Sequence, residues 1–280
     1  MEILKGADVV AAINQSIKDE LETMSYIPHL AIVRVGEKPD DISYERGATK
    51  RMETVGLRCT SYHYPEDITD EEFKKAFMSI NDDEDVDAIL LLRPLPKHIK
   101  ESDIEKMINP VKDVDGISPV NMAKIYSGDK TGFAPCTPTA VIEMLDYAGI
   151  DLMGKRVAIV GRSLVVGKPL AMLMIGRNAT VTVCHTKTVD MKNTCKKAEI
   201  VVAAAGKAKM LDKEYVAEGA VVIDVGINMD ENFKLCGDVD FESITDTASM
   251  ATPVPGGVGT VTTSVLAKHV VAAAKIRRGN

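Results

Sequence analysis

Four short apolar runs in the second half of the chain constrain its fold more than any other feature. RVAIVG (156–161), ATVTVC (179–184), EIVVAAAG (199–206) and AVVIDVG (220–226) are bounded by glycine or polar residues and spaced widely enough for helices between them. Such runs suit strands of a parallel sheet covered on both faces. The first half alternates in the same way. HLAIVRV (29–35), LRCTSYHY (57–64) and VDAILLL (86–92) read as strands. DITDEEFKKAFMSIND (67–82) reads as a helix with Asp67 as its N-cap and acids in its first turn. A further helix opens near Tyr44, TAVIEMLDYAGI (139–150) reads as a helix linking the two halves, and TTSVLAKHVVAAAKI (262–276) reads as a last helix packing back across the first domain. Residues 109–138, rich in Pro, Gly and Asp, read as a long functional connection. The fold class is therefore α/β, in layers.

Bulk properties exclude several classes. With 280 residues, 45% hydrophobic and 27% charged, the chain has the makings of an ordinary globule of one large or two medium domains. A net charge of −7 gives no basic surface for nucleic acid or an anionic membrane. No apolar run approaches the ~20 residues that span a bilayer, and the acidic, amphipathic N-terminal stretch does not read as a leader. Five scattered cysteines without a CxxC pair suit reduced thiols and a cytoplasmic setting. Five histidines without HxH or HxxxH spacing offer no metal site.

VAIVGRSLVVGKPLAMLM (157–174) reads as strand, turn and helix, a relative of G-x-G-x-x-G with Gly161 first, Ser163 in the second glycine's place and Gly167 in the helix. Such a turn lets backbone amides and a helix N-terminus face a pyrophosphate. NAD-selective sites place an acid at the end of the second strand, whereas Cys184-His185-Thr186-Lys187 has none. Arg162 is placed to meet a 2′-phosphate, which leans the reading to NADP over NAD; the alternative is that Arg162 and Lys187 are solvated surface cations. TPVPGGVGTVT (252–262) is a second glycine-rich loop, either a rigid close-approach wall or an irregular connection.

Taken together, Tyr44, KDVDGISPVN (112–121), PCTP (135–138), GRSLVVGKP (161–169), ATVTVCHTKT (179–188), VIDVGIN (222–228), GDVDF (237–241) and TPVPGGVGT (252–260) resemble the methylenetetrahydrofolate dehydrogenase/cyclohydrolase family, in its order and over nearly the whole chain. The resemblance implies two α/β domains with a cleft between them: residues 1–140, joined by the C-terminal helix 262–280, for folate, and 141–261 as a Rossmann-like NADP-binding domain. It implies a homodimer and a tetrahydrofolate substrate beside NADP. Tyr44 and Asp115 take the catalytic roles, Tyr44 packing on the folate ring and Asp115 accepting hydrogen bonds from the pterin. Pro255, Gly256 and Gly257 border the substrate, while Gly161, Arg162, Ser163, Val166, Gly167, Thr186 and Ile227 border the cofactor. The implied reaction moves hydride from the methylene carbon to the nicotinamide and needs no protein base, because two flanking nitrogens stabilise the methenyl cation.

Bifunctional members then hydrolyse that cation with a lysine on the Tyr44 helix (Tyr-Val-x-x-Lys) and a glutamine in VQLPLP. In this chain GEKP and ETVG fix the register without a gap, and the lysine position holds Ala48; LLRPLP (91–96) puts Leu92 at the glutamine position. At about 100° per residue, Ala48 lies about 40° round the helix from Tyr44 and Lys50 about 240°. Arg51 keeps the face but is no base near neutral pH, and Arg93, following Leu92 on a strand, should point the opposite way. The expectation is a dehydrogenase with weak or absent cyclohydrolase activity, its product passing to a separate cyclohydrolase. The rivals are a bifunctional enzyme using Lys50 or a water chain, a non-catalytic dinucleotide-binding or redox-sensing protein, and an unrelated two-domain dehydrogenase for a small acid, disfavoured because no His-based proton relay stands out.

Overall fold

The computed structural model describes residues 1–279. It divides the chain into two compact α/β units, one of Ala12–Cys136 with the segment from Thr263 onward, the other of Met1–Ala11 with Thr137–Thr262. The chain opens with β1 (Glu2–Ile3) and α1 (Gly6–Leu21), whose Val9, Ile13 and Ile17 recur every four residues and are buried.

The first unit continues with β2 (His29–Val35), α2 (Pro39–Val55), β3 (Arg58–Tyr64), α3 (Asp70–Asp82), β4 (Ala88–Leu91), α4 (Glu101–Met107) and α5 (Pro119–Ser127). Its three strands form a parallel sheet in the order β3-β2-β4. All seven residues of the central strand β2 are buried, which is why residues 30–33 run apolar without alternation, while His29 and Arg34 are buried polar members of the strand. Phe73, Phe77 and Ile80 of α3 pack with Ala31, Val33, Ile89 and Leu91 of the sheet.

Of the boundaries that differ from the sequence reading, three have a clear local cause. The helix carrying Tyr44 opens at Pro39, because proline suits a first helical position, so Tyr44 sits in its second turn. Thr69, not Asp67, caps α3: its hydroxyl accepts the Glu72 N–H at 3.2 Å while Glu72 takes the Thr69 N–H, a reciprocal capping box. The 109–138 connection contains α5, opened by Ser118, whose hydroxyl accepts the Asn121 N–H at 3.1 Å, and closed at Gly128 with φ 76°.

The second unit adds α6 (Cys136–Tyr147), β5 (Arg156–Val160), α7 (Gly167–Ile175), β6 (Thr180–Cys184), α8 (Met191–Lys196), β7 (Ile200–Ala203), a 3₁₀ turn (Lys213–Tyr215), β8 (Val221–Asp224), the hairpin β9 (Asn228–Met229) and β10 (Leu235–Cys236), and β11 (Met250–Ala251), before α9 (Val258–Arg278). Its parallel six-stranded sheet runs β1-β11-β8-β7-β5-β6. Glu2 and Ile3 pair with Met250 and Ala251, so residues 1–11 belong with this unit, a strand too short for any periodic signal. From β5 the sheet continues to β6 on one side and β7 on the other, so the C-terminal end of β5 is a topological switch point, where open α/β sheets bind ligands. No helix among the described residues is long and apolar enough to cross a membrane.

Candidate functional site

The turn after β5 is built by two glycines that side chains would ruin. Gly161 has φ 136°, and a Cβ there would fall 2.1 Å from the Ala204 carbonyl oxygen just past β7. A Cβ on Gly167, the first residue of α7, would fall 2.1 Å from the Gly161 carbonyl oxygen. Bare backbone at both positions lets α7 begin hard against the strand end. Ser163 closes the turn, its hydroxyl accepting the Val166 N–H at 3.0 Å and its carbonyl the Lys168 N–H at 3.0 Å. No side chain caps α7, whose N-cap is Val166.

Cys184 is the register partner of Val160, so the residues after β6 lie at the same sheet edge as this turn. His185 and Thr188 close that segment through two 2.8 Å hydrogen bonds. Arg162, Thr186 and Lys187 are left exposed. An edge with exposed cations and no acid at the end of β6 fits a phosphate-bearing dinucleotide.

The second glycine-rich loop forms a pocket of about 220 Å³ with the end of β8. It brings Ile227 together with Pro255, Gly256 and Gly257. Gly256 has φ 99°, its carbonyl accepts the Gly6 N–H at 2.8 Å, and a Cβ on Gly257 would fall 2.5 Å from the Pro253 oxygen. Buried Thr252 ties the loop to β8 by accepting the Asp224 N–H at 2.7 Å. Sequence reasoning assigned no role to the acids Asp224 and Asp238 beside this pocket; the signal available was a glycine close to each, Gly226 and Gly237.

In the other unit, α2 is held to its sheet by a hydrogen-bonded cluster centred on buried Glu45. Arg34 and His63 are register partners on β2 and β3, and Glu45 accepts from both, at 2.8 and 2.6 Å. Burial works against ionising Glu45, but hydrogen bonds from Ser61, His63 and Arg34 outweigh it and hold its carboxyl below the usual range. This clamp fixes the rotation of the helix. Tyr44 is partly exposed, Ala48 one turn on is fully buried, and Lys50 is exposed. Leu92 is buried too. Arg51 reaches Thr263 at 3.3 Å. β4 ends at Leu91, so strand alternation does not orient Arg93; its guanidinium instead pairs with Glu101 and Glu105 at 3.4 and 3.1 Å.

The KDVDG segment divides its labour. Lys112 is buried, donating to the Asn81 and Asp83 carbonyls at 2.6 Å each, and burial, with Arg277 nearby, pushes it down to about 8. Asp113 is consumed by its own loop, accepting from Ile117 N–H, Ser118 N–H and the Asn121 amide at 2.8–2.9 Å. Asp115 takes no part in those loop bonds. Burial raises it, against hydrogen bonds from Cys136, whose N–H donates to Oδ1 at 2.9 Å. His269 of α9 bonds the adjoining Val114 carbonyl through Nδ1 at 2.8 Å.

Sequence comparison finds two domains of one family along the chain. The tetrahydrofolate dehydrogenase/cyclohydrolase catalytic domain matches residues 4–115 and the NAD(P)-binding domain of the same family matches residues 135–278. The chain is 50% identical over 279 residues to the Bifunctional protein FolD of Clostridioides difficile, covering 99% of this chain and 97% of that one. Among solved structures, the bifunctional FolD dehydrogenase/cyclohydrolase of Campylobacter jejuni superposes with a TM-score of 0.95 at 38% identity, covering 99% of each chain. FolD of Trypanosoma brucei, complexed with NADP cofactor and inhibitor, gives 0.91 at 33% identity, covering 98% of this chain and 97% of that one. With both domains matched in order, this chain belongs to the tetrahydrofolate dehydrogenase/cyclohydrolase family.

Proposed function

We propose that the chain is an NADP-dependent 5,10-methylenetetrahydrofolate dehydrogenase, forming 5,10-methenyltetrahydrofolate, with weak or absent cyclohydrolase activity. The observation that carries the dehydrogenase reading is the turn at the switch point bounded by Gly161 and Gly167, where no Cβ fits, with exposed Arg162 and no acid after β6. The nucleotide, when bound, supplies the hydride acceptor. Everything else is asked of the protein as positioning. Gly161, Ser163, Val166 and Gly167 present backbone to the pyrophosphate, Arg162 and Thr186 take the adenosine side, and Ile227 with Pro255, Gly256 and Gly257 borders the reacting end. Tyr44 offers an aromatic face to the folate ring, and Asp115 accepts from the pterin.

The loss of hydrolysis rests on Ala48 and Leu92. Both are buried, and an alkyl side chain at each position can neither move a proton nor donate a hydrogen bond. Removing a positioned acid/base costs about 10²–10⁴ in rate. The same proposal places the enzyme in the cytoplasm as a homodimer, with a separate cyclohydrolase consuming its product. A second reading, that both activities persist, is favoured by the bifunctional names of the relatives; it requires Lys50 or a water chain to act in place of the lysine. Purified protein given methylenetetrahydrofolate and NADP tests the first reading: NADP reduction dependent on the folate supports it, and no reduction with either NADP or NAD overturns it.

A further inference from the structure

Asp224 and Asp238 interlock in a way that the proposed chemistry does not use. A Cβ on Gly226, two residues after Asp224, would fall 2.3 Å from Asp238 Cγ, and a Cβ on Gly237, next to Asp238, would fall 1.9 Å from Asp224 Oδ2. Each acid is thus seated in space left by the other's neighbouring glycine. Asp224 accepts from the N–H groups of Gly226, Asp238 and Val239 at 3.0, 3.0 and 2.9 Å. Asp238 is completely buried and accepts from three consecutive amides, Ala205, Gly206 and Lys207, at 2.5, 3.0 and 2.7 Å, and from the Asn228 side chain at 2.9 Å. Consecutive amides converging on one point make an anion nest, here filled by the chain's own carboxylate.

The groups that Asp238 holds lie on two walls. Residues 205–207 continue from Ala204, whose carbonyl abuts Gly161 of the turn after β5. Asn228 follows Ile227, which lines the 220 Å³ pocket with the 253–260 loop. Burying two neighbouring acids is an expensive way to gain stability alone, since apolar residues of similar volume are often neutral or better. Fixed amide-to-carboxylate bonds gain geometric precision instead.

We propose that Asp238, braced by Asp224, is a positioning residue for the nucleotide: through the 205–207 amides and Asn228 it sets the spacing between the turn at Gly161 and the wall at Ile227. This inference rests on the nucleotide reading of those two walls. Its test is NADPH fluorescence titration of the full chain carrying Asp238→Asn, on samples shown folded by circular dichroism. An amide in place of the carboxylate turns an NH₂ toward backbone donors. NADPH Kd is then expected to rise about tenfold, the equivalent of one charge-assisted hydrogen bond, with kcat at saturation within about threefold of wild type. A purely structural role would lower the folded fraction and leave the Kd of the folded protein unchanged. Where Asp238→Asn fails to fold, Asn228→Ala decides, because it removes one donor and keeps both acids; its expected rise in Kd is about threefold, as for a single neutral hydrogen bond. Unchanged Kd in the folded variant overturns the proposal while leaving the nucleotide reading intact, whereas wild-type protein that does not bind NADPH overturns both.

Discussion

Ala48 follows Tyr44 by one turn of α2 and is fully buried, while Tyr44 is partly exposed. The helix is pinned by the Arg34–Glu45–His63 cluster, so rotating another residue into the place of Ala48 would mean breaking that cluster. Placing a lysine and a glutamine at positions 48 and 92 is therefore the direct manipulation of the proposed loss. Ala48→Lys with Leu92→Gln should hydrolyse methenyltetrahydrofolate at least about tenfold faster than wild type, the low end of what a positioned base supplies. Burial at position 48 would also favour the neutral lysine. A folded double variant no faster than wild type in nucleotide-free methenyltetrahydrofolate decay would contradict this prediction.

Tyr44 and the dinucleotide turn lie in different units, which separates their effects. Tyr44→Ala should raise KM for the folate about tenfold through lost aromatic contact, with NADPH affinity unchanged. Tyr44→Phe, keeping the ring, should stay close to wild type. Steady-state kinetics beside NADPH titration read both, and a parallel loss of NADPH affinity would contradict the assignment.

Gly161→Ala should abolish nucleotide binding. Its φ of 136° is strained for any other residue, and the new methyl would meet the Ala204 oxygen at 2.1 Å. Backbone strain of this kind costs about 1–3 kcal/mol before the clash is counted. Thermal unfolding with and without NADPH should show a lowered Tm and no upward shift on adding nucleotide.

Asp224 links stability to pH. Burial raises its carboxyl to about 6, with Asp238 adding to the rise and backbone hydrogen bonds from Val239, Asp238 and Gly226 opposing it. A folded pKa above the unfolded value of about 3.9 means that the native state binds the proton more tightly. Its stabilising contribution is complete below that unfolded value and is lost as pH rises to about 6, a change on the order of 3 kcal/mol. Urea unfolding across this window should show the decline in wild type, and Asp224→Asn should remove it. An identical pH profile in the two proteins would contradict the assignment.

Much of the scaffold is legible in the sequence because strand segments buried on both faces are apolar without alternation, as residues 30–33 of β2, residues 157–160 of β5 and all of β7 are. The glycine turn is legible for the same kind of local reason. Boundaries set by competing caps are less so: Asp67 and Thr69 both suit an N-cap, and the reciprocal bond to Glu72 decides between them. β1 is two residues long and owes its place to pairing with Met250 and Ala251, which no local pattern announces. The roles of Asp113, Asp115, Asp224 and Asp238 depend on which backbone amides reach them. In KDVDG both acids look alike in sequence, and only the loop's folding commits Asp113 to Ile117, Ser118 and Asn121.

The most direct test of the central claim is a paired assay on one purified sample, following NADP reduction with methylenetetrahydrofolate and then nucleotide-free decay of methenyltetrahydrofolate in a weakly nucleophilic buffer against a no-enzyme blank. The account predicts folate-dependent reduction together with decay no faster than the blank. Decay well above the blank would contradict it and point to Lys50 or an ordered water as the replacement for the missing lysine.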